Sequence, residues 1–142
     1  MLTFEVDAKV QQEAVTQGER LIDFATKNGV KLDWSDDSIE RVERIAADLH
    51  EAYKKGRASA RTARIFSDML GSYLGEVHRR NHEAEWGWVV STGGRVPGMR
   101  SKGETLFWPM GRAENRVING PEHNLWHYYQ VLLNPNTTWL RK

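Results

Sequence analysis

Between Ser72 and Val90 the chain reads SYLGEVHRRNHEAEWGWVV, a helical pattern that runs directly into an extended, Trp-bearing one. That junction constrains the fold more than any other stretch, because it predicts a hinge between a helical half and a sheet half. Gly71 and Gly75 lie four residues apart and leave one side of the helix bare, beside the bulky Tyr73, Leu74 and Val77. Each Gly in a soluble helix costs about 1 kcal/mol against Ala, so the pair predicts another backbone packed closely there. Trp86-Gly-Trp-Val-Val then reads as a strand.

The segments before the junction carry helical periodicity. A first helix is predicted from Asp7, a capping residue, to Lys27, with Val10, Ala14, Leu21, Phe24 and Ala25 as its apolar face and Asn28-Gly29 as its stop. Gly18 within it either weakens the helix or marks a close helix crossing. A second helix is predicted from Asp37 to Lys54. Asp37 and Glu40 have capping-box spacing, and Leu32 and Trp34 are placed to pack over its start. Ile39, Val42, Ala46, Leu49 and Tyr53 form its buried stripe. Gly56 closes that helix, and Ser59 or its neighbours open a third, running through Arg80.

Beyond the junction, STGGRVPGMRSKG is dense in turn formers and reads as a loop. Glu104 to Met110 reads as the returning strand, with Pro109 near an edge, and Arg112 to Ile118 as another short strand. Asn119-Gly120-Pro121 reads as a turn into a last helix bearing Leu125, Tyr128, Tyr129 and Leu132 on one side. No repeat or low-complexity linker interrupts residues 1–142, so the expectation is one α+β domain. Three N-terminal helices pack on a small antiparallel sheet, with a C-terminal helix.

A chain of 142 residues buries a core without staples, and the absence of cysteine excludes disulfides, thiolate metal sites and a cysteine nucleophile. No apolar run resembles a signal peptide or a membrane span, so the expected location is cytoplasmic, with no membrane partner. Residues 1–53 hold 12 acidic against 6 basic side chains, and residues 54–142 hold 7 against 14. The asymmetry predicts either a dipolar molecule that steers a charged partner or two halves that face each other.

Glu76 is the leading candidate among single residues, with Arg79 and Arg80 three and four positions on. It suits a general base, an anchor for a cationic ligand, or an ordinary helix ion pair, and the absence of a second carboxylate at an informative spacing favours the last. His78 and His82, and likewise His123 and His127, have the i,i+4 spacing of metal ligands on a helix, with Glu85 as a third donor for the first pair. Arg79 and Arg80 oppose a dication, and no metal or other cofactor is expected. Lys54, Lys55, Arg57, Arg61 and Arg64 make a basic segment, yet the net charge of +1 argues against nucleic acid. Trp86 and Trp88 are candidates for core or interface, and Trp139 for an exposed contact. Asp36, Asp37, Glu40 and Glu43 form the acidic face expected to meet a partner.

SYLGEVHRRNHEAEWGWV and LFWPMGRAENRVINGPEHNLWHYYQVLL together resemble a set of small uncharacterised bacterial proteins. Their shared order is Tyr-Leu-Gly-Glu-Val-x-Arg-Arg, a Trp-bearing strand, a Pro, a Val in a basic segment and a Tyr-rich final helix. The resemblance implies an α+β domain. Some small bacterial proteins of this kind sit beside secreted toxins as immunity proteins, so the implied partner, by analogy, is another protein such as a toxin. The leading expectation is a non-catalytic protein-binding module, followed by a ligand binder or enzyme using Glu76 with Arg79 and Arg80 in a cleft between the third helix and the sheet, and third by nucleic-acid binding through the basic segment 54–64. The sequence leaves the oligomeric state open.

Overall fold

The computed structural model describes residues 1–134; Trp139, the candidate exposed contact, lies outside them. The chain begins with a strand that the sequence pattern did not indicate, β1 (Thr3–Val6). It leads at once into α1 (Ala8–Lys27), capped by Asp7, whose Oδ1 accepts from the backbone N–H groups of Lys9 (2.7 Å) and Val10 (3.4 Å). Next come α2 (Ser38–Lys54) and α3 (Ala60–His82), the latter capped by Ser59. The expected capping box at Asp37 is not made. Asp37 is already helical in conformation with no side-chain cap, and Ser35 Oγ accepts from the Ser38 N–H instead.

The sheet is an antiparallel meander in the order β1-β2-β3-β4, with β2 at Glu85–Ser91, β3 at Gly94–Arg100 and β4 at Leu106–Phe107. Two sequence expectations fail here. Most of the segment read as a loop is β3, paired with β2 from Glu85↔Arg100 to Ser91↔Gly94, and the predicted strand Glu104–Met110 shrinks to two residues. Arg112–Ile118, expected to be a strand, belongs to α4 (Pro109–Asn119), with Pro109 at its start where a missing N–H costs nothing. A 3-10 turn (Pro121–His123) precedes α5 (Leu125–Leu133). The fold is therefore α+β, with five α-helices and a four-stranded sheet among the described residues. Three helices preceding the whole sheet is not what the chain does.

Helix α3 is the central element. Its residues Leu70, Tyr73, Leu74 and Val77 are fully buried with Leu21, Ile39, Val42, Ala113 and Val117 in the main core. Gly71 meets the start of α4: a Cβ there would lie 2.5 Å from Met110 N and 2.7 Å from the Pro109 carbonyl carbon. Gly75 meets the Trp86 indole instead. The close backbone approach expected of the pair holds for the first glycine, while the second makes room for a side chain. Gly18, where α1 crosses α3, also makes room for a side chain: a Cβ there would lie 2.9 Å from the Trp34 indole and at an ordinary 3.5 Å from Tyr73 Cα.

Candidate functional site

The last two turns of α3 gather most of the candidate residues, in two networks. In the first, the Glu76 side chain is fully buried. Its Oε1 accepts from Arg79 Nε (2.6 Å) and Trp86 Nε1 (3.1 Å), and its Oε2 from Arg79 Nη2 (2.9 Å) and Arg80 Nε (2.7 Å). Burial pushes the Glu76 carboxyl up, but the hydrogen bonds of Arg79 and Arg80 outweigh it and leave the group below its usual range. A carboxylate with four donors and no exposed surface is an anchor, not a base that reaches substrate.

Arg80 also lies 3.8 Å over the ring of Trp34, which stacks on Tyr73 at 4.8 Å. Trp34 has φ 65°, a costly conformation for a bulky side chain. It is held by the Tyr73 hydroxyl, which accepts from its N–H at 2.9 Å, and by Asn81 Nδ2, which donates to its carbonyl at 3.0 Å. The sequence reading placed Trp34 at the start of α2 but gave no signal of this strain, since each restraint comes from α3.

In the second network, Asp36 accepts from the Tyr129 hydroxyl (2.6 Å), His82 Nε2 (2.7 Å) and Asn81 Nδ2 (3.3 Å). Burial raises its pKa, yet the Tyr129 and His82 bonds leave it lowered overall. His82 stacks on His78 at 5.2 Å, and His78 in turn meets Phe107 and Tyr129 edge-on. His78 is 3 % exposed; its burial, together with the charge of His82, lowers its pKa to about 4. The Nδ1 atom of His78 has no hydrogen-bond partner among the described residues.

The acidic face comes apart. Asp37 and Glu40 are exposed, but Asp36 is bound into the second network. Glu43 is buried between α2 and α4, where it accepts from Arg116 Nε and Nη2 at 2.9 Å and from the Leu125 N–H at 2.8 Å. Glu43–Arg116 and Asp36–His82 thus each join the acidic half to the basic one. The metal readings fare likewise. Glu85 pairs with Arg100 at 2.8 Å, and His82 with Asp36. His123 sits in the 3-10 turn and His127 on α5, so their spacing does not place them on one helix. Among the described residues no group of three or more His, Cys, Asp or Glu is placed to hold a metal ion. No helix among them is long and apolar enough to cross a membrane.

Trp86 and Trp88 lead to a cleft of about 350 Å³ between α1, α3 and the sheet, with Met110 at its end. Each indole is fastened by a carboxylate: Trp86 by Glu76, and Trp88 by Asp7 Oδ2 at 2.8 Å. That hydrogen bond from Trp88, with the one from the Lys9 N–H, lowers the Asp7 pKa. Val10 and Ala14 complete the apolar wall, while Glu13 and Asp68 stand on the rim. Asp68 is pushed up by burial and by nearby Glu114, against the opposing charge of Arg64. It makes no ion pair among the described residues, and Glu13 is bonded only to the neutral Gln17. The helix–sheet cleft expected from the sequence therefore exists, but Glu76 stands behind its floor and Arg79 and Arg80 lie outside its lining.

No family model matches the chain, and no curated protein matches it significantly. It is similar in structure to a crystal structure of a protein from Bacteroides thetaiotaomicron VPI-5482, with a TM-score of 0.68 over 95% of this chain at 14% identity. The match covers 48% of that protein, so this chain spans about half its length. At that identity the two share a fold.

Proposed function

We propose that the protein is a non-catalytic binding module and that the cleft floored by Trp86 and Trp88 receives a side chain of a protein partner. One observation carries this reading: two indoles, each locked by a hydrogen bond to a carboxylate behind it, line one open cleft. Tryptophans held in place lose little entropy on binding, and Trp is enriched among residues that dominate interface energy. Glu13 and Asp68 outnumber Lys9 on the lining and favour a basic or neutral segment over an acidic one. A toxin, the partner suggested by analogy, and a cytoplasmic setting are the narrower forms of the proposal.

The test is retention of a stoichiometric partner by the tagged protein at moderate salt. Trp88→Ala and Asp68→Lys should each abolish retention with the circular dichroism spectrum unchanged. Asp37→Lys and Glu40→Lys, on the other exposed acidic surface, should leave it intact. Retention that survives Trp88→Ala, or is lost with Glu40→Lys, overturns the assignment of the cleft.

A further inference from the structure

A second cavity, of about 300 Å³, lies at the end of α3, bounded by the loop between β3 and β4 and by the last turn of α5. Its base is aliphatic: Val131, Leu132 and Leu133. The polar groups on its opposite walls are His78, His82, Ser101, Lys102 and Thr105, and among the described residues no carboxylate lines it.

The two histidines are held by the fold. Asp36 accepts a hydrogen bond from His82 Nε2, and His78, wedged between His82, Phe107 and Tyr129, contributes to the cavity lining with its unpartnered Nδ1 buried. A neutral imidazole carries one N–H, and leaving a buried imidazole without a partner costs free energy that a ligand would recover. The Ser101 oxygen accepts from the Thr105 N–H at 3.2 Å, which leaves its own proton free to donate. Lys102 supplies the positive charge. Its contact with Glu83, at 3.2 Å, joins two side chains that are 78% and 74% exposed, so water screens it and a competing anion displaces it at little cost.

Donors and one cation face an aliphatic base, and we infer that this cavity binds a small aliphatic monocarboxylate, its carboxylate toward Lys102, Ser101 and His78 and its chain against Val131–Leu133. The inference is independent of the tryptophan cleft, which lies on the other side of Trp86 from Glu76 and shares no lining residue with this cavity.

The probe is hexanoate, titrated into the full chain while the His78 imidazole is followed in long-range proton–nitrogen spectra, with 1-hexanol and hexylamine as controls. Hexanoate should move the His78 resonances saturably in the millimolar range, and the two controls should not. Lys102→Glu, an exposed change that leaves the core alone, should weaken hexanoate about tenfold. His78→Phe, which keeps a ring in place, should weaken it as well, read on the Leu132 and Leu133 methyl resonances. An unmoved His78, hexanol binding as tightly as hexanoate, or unchanged affinity in Lys102→Glu overturns the inference.

Discussion

Replacing Gly71 by Ala adds one methyl group at the closest approach of two helices. The new Cβ would lie 2.5 Å from Met110 N and 2.7 Å from the Pro109 carbonyl carbon, so backbone rather than a side-chain tip must give way. Helix α4 cannot simply slide. Pro109 is buried at its start, Ala113 and Val117 are fully buried along it, and Arg116 ties it to Glu43 on α2. Overpacking of a tight core costs about 1–3 kcal/mol, and a rigid backbone partner places this case at the upper end. Ala gains about 1 kcal/mol over Gly in helix propensity. The expected net loss is about 2 kcal/mol, or about 6 °C in Tm for a domain of this size. Gly111→Ala is the control: it also lies in a helix, is exposed, and its nearest neighbour would be Trp108 Cβ at 3.8 Å. Urea unfolding followed by circular dichroism should show Gly111→Ala unchanged or stabilised by up to about 1 kcal/mol, with equal m-values throughout. If Gly71→Ala matched the wild type, or gained as much as the control, the close packing of α3 on α4 would not be the reason for that glycine.

Two further outcomes follow from buried ionisable groups. His78, with its pKa lowered from 6.5 to about 4 by burial, contributes stability above pH 6.5 that is lost progressively as the pH falls toward 4, a loss on the order of 2–3 kcal/mol. His78→Phe should flatten the urea midpoint over that window, and an equally steep decline in the variant would place the titration elsewhere. Glu43→Ala leaves Arg116 buried and unpaired and should cost about 3–5 kcal/mol, whereas Glu40→Ala on the exposed face should change stability by less than about 0.5 kcal/mol. Similar urea midpoints for the two variants would contradict the burial of the first.

What could be read from the sequence divides by range. Helices α1, α2 and α3 were legible because stripe and cap lie within a few residues of each other: Asp7 and Ser59 cap as expected. Strand β1 was not, because four residues carry little periodicity and their partner, β2, lies some eighty positions on. Strand β3 was hidden by its turn formers. Gly98 stands directly opposite Gly87; Val89, the Phe107 carbonyl and the Trp108 indole fill the space a side chain would take at the first, and the Glu5 backbone that at the second. In α4, Val117 and Ile118 suggested a strand, and Pro109 marked a helix start rather than a strand end. At the site, Trp86 and Glu76 were both singled out, but the bond between them depends on how β2 folds back on α3. Glu43 looked like a surface acid because Arg116 is 73 residues away.

Asp7 has a consequence that reaches past its role as a helix cap. One oxygen closes the first turn of α1 and the other holds Trp88, while its N–H donates to the Trp86 carbonyl at 3.2 Å. A four-residue edge strand is held by few contacts, and its opening usually costs nothing distant. Here peeling β1 from the sheet edge also releases an indole from the wall of the cleft. Opening of that sheet edge and the shape of the cleft are therefore coupled through one side chain.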